Sequence, residues 1–350
     1  MQGMWLAENA ARAARLHRFP AIDVILSKSA LCRMIADRPL TGILFMLGFC
    51  LFAPMSDAAT KSIAVATPLI VLLFARYAAQ WLMPLPVILM TGRTLRMSRR
   101  VLQILLIRSL VHMGGLAAMF ASFRYLPLAD AIAIAFVFPF ILLLLGHVFL
   151  QEHVGIRRLT ACSVGFIGTL LIIQPSFATV GLPALLPLLV AVLFAVLVLM
   201  TRQIAKEYDP ICLQSTSGFV GLILLTVTGL AVRDAGIFDL QLLVPPASAW
   251  GTLFLVGFFG TLAHISMTYA VRFAPSATLA PMQYVEIPLA TFIGWVVFGE
   301  LPNGLAAVGI LITVIAGLAV IYFEHRANRA PPLPAAPQDA SPPDASSSGN

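Results

Sequence analysis

The sequence predicts an all-α membrane protein with ten transmembrane helices in two inverted five-helix repeats. The first reason is composition, because 60% of the 350 residues are hydrophobic and only 11% are charged, whereas soluble domains carry about 25% charged residues. The second is length, because the apolar runs come close to the roughly 20 residues that a helix needs to cross a bilayer core. The third is an internal repeat, since a motif of the first half returns about 148 positions later.

The apolar runs are continuous rather than alternating, which excludes a membrane β-barrel. Backbone groups inside lipid must find their partners within the segment, so each run is predicted to be a helix. The ten predicted spans are 40–62, 68–90, 103–123, 128–150, 157–175, 182–201, 211–232, 249–271, 276–298 and 304–323. Spans one to five form the first repeat, residues 40–175, and spans six to ten form the second, residues 182–323.

The flanking segments and the loop charges predict the orientation. Residues 1–39 are basic and are expected in the cytosol, whereas residues 330–350 are rich in Pro, Ala and Ser and are predicted to be a disordered tail. With the N-terminus inside, 17 of the 22 Lys and Arg residues fall on the cytosolic side, as the positive-inside rule requires. We therefore expect a multi-pass protein of the inner membrane with both termini in the cytoplasm. The net charge of +7 reflects this asymmetry, and we expect no nucleic-acid partner.

The repeat combines matching positions with a mismatch. The matching pairs are Arg124 and Arg272, Pro127 and Pro275, Gly146 and Gly294, and Glu152 and Glu300. A proline lies within the helix of each copy, at Pro139 and at Pro288, one position out of register. Because five spans per half is an odd number, the second repeat is predicted to enter the membrane from the opposite side. Matching interrupted helices in two halves indicate a transporter, with bends near its binding site.

These motifs resemble a known family. The first copy contains Arg124-Tyr125-Leu126-Pro127-Leu128-Ala129-Asp130-Ala131, Phe138-Pro139, Glu152 and Gly165-Phe166-Ile167-Gly168, and the second contains Pro275, Gly299-Glu300 and Gly309. Over residues 40–323 the pattern is similar to the EamA-type domain of the drug/metabolite transporter superfamily. The resemblance implies a ten-helix inverted-repeat carrier with a central cavity, in which the third, fourth, eighth and ninth spans are prominent. It does not specify a substrate.

Glu286 is the main candidate for coupling. It lies near the middle of the ninth span, two residues before Pro288, and it is close in sequence to Gln283 and Tyr284. A charge at the bilayer centre costs about 2.5–3.5 kcal/mol even on the insertion scale, so its presence needs an explanation. One interpretation is a proton- or cation-responsive carboxylate facing the cavity. The other is a buried glutamate that neighbouring hydroxyls or an arginine satisfy.

Three further charged residues lie within the first two spans. Asp57 and Lys61 are four residues apart on the first span and share a face, and Arg76 is expected at a similar depth on the second span. This favours an Asp57–Arg76 ion pair with Lys61 extended outward, or else a network of charges that forms an outer gate.

Arg108 and His112 share a face of the third span in the same way. Arg108 is interpreted either as an anchor for a carboxylate or phosphate or as an arginine that reaches the headgroups, and His112 alone is as compatible with a hydrogen-bonded core position.

These features predict a secondary transporter that moves a small metabolite by alternating access. Since no phosphate-binding loop stands out, the driving force is expected to be a gradient, with protons as a possible second partner besides substrate and lipid. The excess of cationic groups favours a substrate with a carboxylate or phosphate; the alternatives are an exporter of amphipathic drugs or cationic metabolites and a membrane-embedded lipid enzyme. We expect no cofactor, and no metal site because His147, His153 and His264 lack metal-ligand spacing. The oligomeric state is not predicted.

Overall fold

A computed structural model describes residues 38–138, 141–142, 144–145, 156–173, 181–231, 237–300, 304, 307–309, 311–312, 315–316 and 319. Throughout these residues the regular secondary structure is helical, as the sequence predicted. Six helical segments of the described residues are long and apolar enough to cross a membrane, and one of them, Leu69–Thr91, consists of two consecutive helices. The total of ten spans and the inversion of the repeats stay predictions. Residues 1–37 and 330–350, and the motif residues Pro139, Gly146 and Glu152, lie outside the described part of the chain.

The helices of the first half are α1 (Pro39–Ile63), α2 (Leu69–Leu82), α3 (Pro84–Thr91), α4 (Arg99–Ser122), α5 (Leu128–Ala135) and α6 (Ile156–Ile173). Those of the second half are α7 (Leu186–Ile204), α8 (Pro210–Ala231), α9 (Trp250–Phe273), α10 (Ser276–Gln283) and α11 (Glu286–Phe298). Short 3₁₀ turns cover Leu182–Leu185, Phe238–Leu240 and Ala247–Ala249. The second predicted span therefore comprises α2 and α3, which are separated at Met83, directly before Pro84.

Small residues let the central helices approach closely, as is common in membrane bundles. A Cβ atom on Gly42 of α1 would lie 2.5 Å from the Cβ of Ala274, at the end of α9. On α8, a Cβ on Gly218 would lie 2.5 Å from the backbone nitrogen of Trp81 in α2. On α9, a Cβ on Gly257 would lie 2.4 Å from the Cβ of Ala79. The helix α2 is thus held against α8 and α9 by glycines on both sides.

Contacts between the loops define two ends of the bundle. At the first, which we call the Lys61 end, Lys61 pairs with Glu300, and Arg124 pairs with Asp239 at 2.6 Å. At the second, the Arg93 end, Arg93 pairs with Asp209 at 2.6 Å. The chain order then shows that α1 and α4 finish at the Lys61 end, whereas α7 finishes at the Arg93 end.

Candidate functional site

A cavity lies between the two halves of the bundle. The space it encloses, together with the open space at its mouth, is about 660 Å³. Residues of α1, α4, α5, α7, α9 and α11 line it, together with the turn that follows α5. The contribution of α4 runs from Val111 to Met119, so the cavity lies in the half of the bundle nearer the Lys61 end.

Most of the lining is apolar, and its polar groups are two acids and two histidines. These are Asp57 from α1, His112 from α4, His264 from α9 and Glu286 from α11. Among the described residues neither carboxylate has a hydrogen-bond or ion-pair partner, although the two acids are close enough to interact electrostatically. Both carboxylates are therefore available to a proton or to a ligand.

A break between α10 and α11 positions Glu286. The helix is interrupted at Tyr284 and Val285, and α11 begins at Glu286. Pro288 has no N–H for the carbonyl of Tyr284, and its ring disfavours a regular helix at that point. The carbonyl of Tyr284 instead accepts a bond of 3.3 Å from the N–H of Ile287. Glu286 is therefore the first residue of a new helix, and it lines the cavity.

The other predicted residues of this segment lie away from the cavity lining. Gln283 is fully buried, and neither polar atom of its amide has a hydrogen-bond partner among the described residues. Its backbone carbonyl is 3.9 Å from the thiol of Cys50 on α1. Tyr284 is also buried, and its ring packs at 5.8 Å from that of Phe136.

A hydrogen-bonded chain of side chains reaches the cavity from α2. The hydroxyl of Tyr77 lies 3.2 Å from Nδ1 of His112, and Nε2 of His112 lies 3.3 Å from Nε2 of His264. The sequence analysis did not single out Tyr77 and assigned no role to His264. One signal could have found His264, since it lies near the centre of the eighth predicted span, at the same depth as His112 in the third.

A buried polar layer adjoins the cavity on the side of the Arg93 end. It comprises Arg76 and Gln80 of α2, Arg108 of α4, Thr201 of α7, Gln214 and Ser217 of α8, and Thr268 of α9. Nε of Arg108 donates to the hydroxyl of Thr201 at 2.7 Å, and its Nη1 donates to that of Ser217 at 2.9 Å. The amide of Gln80 donates to Gln214 at 2.8 Å. Neither Arg108 nor Arg76 is among the residues that line the cavity.

Asp57 and Arg76 are not in direct salt-bridge contact, although they are close enough to interact electrostatically. Arg76 donates to the carbonyl of Gly260 on α9, where the absence of a side chain leaves room for the guanidinium. Lys61 does not extend outward but pairs with Glu300. Both contacts join residues far apart in the sequence, so the local spacing that suggested the pair could not reveal them.

Glu300 also holds a helix terminus. Its second carboxylate oxygen accepts a hydrogen bond of 3.1 Å from the N–H of Leu128, the first residue of α5. A carboxylate at this position offsets the partial positive charge of the helix start. Glu300 directly follows α11 in the second repeat, whereas the helix that it contacts lies in the first repeat. Together these contacts close the Lys61 end between α1, α5 and the end of α11.

Comparison with known proteins decides the family. The model of the EamA-like transporter family matches residues 40–174 and 181–323, two copies that together cover most of the chain. The chain belongs to the EamA-like transporter family. It is a multi-pass membrane transporter rather than an enzyme, and the resemblance inferred from the motifs is confirmed.

Named relatives of this EamA-like transporter differ in what they carry. A riboflavin transporter of Brucella anthropi is 27% identical over 237 residues, which are 67% of this chain and 82% of the relative. An S-adenosylmethionine uptake transporter of Rickettsia felis is 25% identical over 289 residues, 82% of this chain and 95% of the relative. A pseudopaline exporter of Pseudomonas aeruginosa is 25% identical over 290 residues, 82% of this chain and 98% of the relative. These names include both uptake and export, so the family does not fix a substrate or a direction.

Proposed function

We propose that this protein is a gradient-driven secondary transporter that moves small, cation-bearing molecules with an apolar body through the cavity. One observation carries the proposal: the cavity is mostly apolar, yet Asp57 and Glu286 face it without a partner among the described residues. Placing an ionised carboxylate in such surroundings is costly unless a counter-charge accompanies it. The counter-charge is supplied either by a proton or by a positive group of the substrate.

These contacts do not favour the anionic substrate that the sequence led us to expect. It relied on Lys61, Arg76 and Arg108 as cations of the cavity. Lys61 is paired with Glu300, and the two guanidinium groups are directed to acceptors in the polar layer and on α9. None of the three lines the cavity. The charges that a ligand meets there are acidic.

Competition between proton and substrate for the same carboxylates provides the coupling. When the cavity is empty, protons neutralise Asp57 and Glu286. When a cationic substrate binds, it displaces these protons. Movement of the substrate across the membrane is therefore linked to movement of protons. The absence of a phosphate-binding motif in the sequence agrees with a gradient as the energy source.

The proposed cycle is alternating access between two inverted repeats. The helix α1 runs toward the Lys61 end and α7 runs toward the Arg93 end, which supports opposite insertion of the two repeats. The ion pairs at both ends join one repeat to the other, and of these the pair between Lys61 and Glu300, beside the cavity, is the one proposed to break and reform as the cavity changes sides. From the distribution of Lys and Arg, we propose an inner-membrane location with the Arg93 end and both termini in the cytoplasm.

Proteoliposomes provide the test, with a pH gradient as the driving force. The probes are S-adenosylmethionine, the compound named for a relative and a sulfonium cation, and a naphthalene that carries a trimethylammoniomethyl group. We expect accumulation of at least one probe, and we expect the substitution Glu286→Gln to abolish its dependence on the gradient.

The matched control is Glu207→Gln, at a carboxylate that pairs with Arg100 at the Arg93 end. This variant should retain gradient-dependent transport. Full pH-dependent accumulation by the Glu286→Gln variant would contradict the coupling role of Glu286. Preferred transport of anionic analogues by the wild type would refute the proposal that the substrate is cationic.

A further inference from the structure

The side of the cavity formed by α1, α7 and α9 combines an aromatic wall with an unused hydrogen-bonding atom. Phe49 and Phe194 stack with ring centroids 5.8 Å apart, and Phe138 packs edge-on against Phe194 at 5.0 Å. Both Phe49 and Phe194 lie nearly perpendicular to His264, at 89° and 84°. A planar ligand can pack on such rings in stacked or edge-on geometry, which stabilises binding beyond simple burial.

His264 ends the hydrogen-bonded chain that begins at Tyr77. Its Nε2 contacts His112, while its Nδ1 is buried and has no hydrogen-bond partner among the described residues. A buried polar atom without a partner has a free-energy cost, because it has lost its hydrogen bonds to water. Because His264 also lines the cavity, a ligand in the cavity is the group best placed to relieve this cost, after a small rotation of the ring.

The chain can present either a donor or an acceptor without a change in net charge. If Tyr77 donates to Nδ1 of His112, then Nε2–H of His112 donates to Nε2 of His264, and Nδ1–H of His264 remains as a donor. In the opposite arrangement, Nε2–H of His264 donates to Nε2 of His112, and Nδ1–H of His112 donates to the hydroxyl oxygen of Tyr77. Nδ1 of His264 then remains as an acceptor. Both arrangements keep the two internal hydrogen bonds and two neutral imidazoles. The free nitrogen is therefore suited to ligands of either hydrogen-bonding type.

We propose that His264 is a specificity-determining residue that binds the edge of a planar heteroaromatic ring, through a ring nitrogen or ring N–H, while the ring packs on Phe49 and Phe194. The inference rests on the proposed transport function and names its substrate class: a heteroaromatic ring system that carries a positive group. The ring occupies the aromatic side, and the positive group faces Asp57 and Glu286.

Two probes of the same shape test this assignment. A quinoline and a naphthalene each carry the same trimethylammoniomethyl group, so they differ only in the ring nitrogen. In proteoliposomes we expect the wild type to prefer the quinoline by roughly fivefold or more in kcat/KM, the ratio that one hydrogen bond of about 1 kcal/mol provides. His264→Phe keeps an aromatic ring but no hydrogen-bonding atom, and its preference should fall to about one. His264→Gln restores an acceptor and a donor, and it should recover part of the preference.

The outcomes separate this inference from the proposed function. Equal transport of both probes by the wild type overturns the heteroaromatic assignment and leaves cation transport intact. Transport of neither probe, with transport of anions instead, refutes the proposed function itself. An undiminished preference in His264→Phe assigns recognition to another residue and contradicts the role of His264. Monodispersity and thermal melting in detergent identify any variant that fails to fold, and a misfolded His264→Phe is replaced by His264→Leu in the same comparison.

Discussion

The cavity and the polar layer beside it are both buried, but their polar groups are satisfied in different ways. In the layer, Arg108 donates to Thr201 and Ser217, and Gln80 donates to Gln214. In the cavity, Asp57 and Glu286 have no partner among the described residues, and one ring nitrogen of His264 has none. One nitrogen of Arg108 is an exception in the layer.

The difference separates groups that hold the helices together from groups that are available to a ligand. Arg108 and His112 show this most directly, because they lie one turn apart on α4 and yet belong to the two different regions. Buried polar groups normally find partners, and the proposed function assigns those without partners that line the cavity to ligand binding. Substitutions in the two regions should therefore have different consequences.

The largest expected effect concerns transport and comes from the cavity. Asp57→Asn removes a carboxylate that has no hydrogen-bond or ion-pair partner in the part of the chain that the structure describes, so we expect a melting temperature equal to or above that of the wild type. Gradient-driven transport should fall roughly tenfold or more, the factor that corresponds to 1.4 kcal/mol. Uptake into proteoliposomes and thermal melting of the same preparation provide the two measurements. A variant that loses stability and transport in parallel would place Asp57 in the structural region instead.

The second expected effect concerns stability and comes from the polar layer. Thr201→Val keeps the shape of the side chain but removes the acceptor for Nε of Arg108, leaving a buried cation less well bonded. Hydrogen bonds to charged groups contribute about 1.5–3 kcal/mol, and the free energy of unfolding should fall by a comparable amount. Thr226→Val is the matched control, because Thr226 is exposed and bonds only the carbonyl of Leu222. Equal melting of both variants would contradict a structural role for the layer.

The sequence led us to expect a central cavity faced by Glu286, but it did not predict the polar layer or the contacts within it. Glu286 could be identified because a carboxylate in an apolar span is rare and because Pro288 lies two residues beyond it. The separation of Arg108 from His112 could not be predicted, since i and i+4 spacing only shows that they share a face. Their partners Thr201 and His264 are 93 and 152 residues away, respectively. Such distant contacts depend on helix packing, which a single sequence with two similar repeats does not specify.

The ion pairs beyond the two regions permit a finer comparison. At the Lys61 end, Lys61→Met removes one partner of Glu300 but leaves the hydrogen bond from the N–H of Leu128 to Glu300. A partly exposed pair contributes about 0.2–1 kcal/mol, so opening of this end should increase by no more than about fivefold. A cysteine placed at Ala53, on the cavity wall, reports opening through its rate of labelling by an impermeant maleimide. The exposed loop variant Arg96→Met should not change that rate, and an equal increase in both variants would argue against a gate at Lys61.

The smallest expected effect is at the Arg93 end, where Asp209 and Arg93 lie beyond the polar layer. Partial burial alone would raise the pKa of Asp209, but hydrogen bonds from Arg93 and from the N–H groups of Ile211 and Cys212 outweigh it and hold the pKa below its ordinary value of 3.8. A depressed pKa in the folded state contributes stability that is present above the ordinary pKa and is lost as pH falls through the folded one.

Asp209→Asn should therefore lower the melting temperature at pH 7, by the equivalent of roughly 0.2–1 kcal/mol for a partly exposed pair. The difference from the wild type should narrow below about pH 4, where the wild-type carboxylate takes up its proton. Arg93→Gln removes the other partner and should show the same narrowing, whereas transport per folded molecule should change in neither variant. A stability difference that persists unchanged to pH 3 would mean that Asp209 acts through packing or through its N-terminal cap on α8, not through its charge.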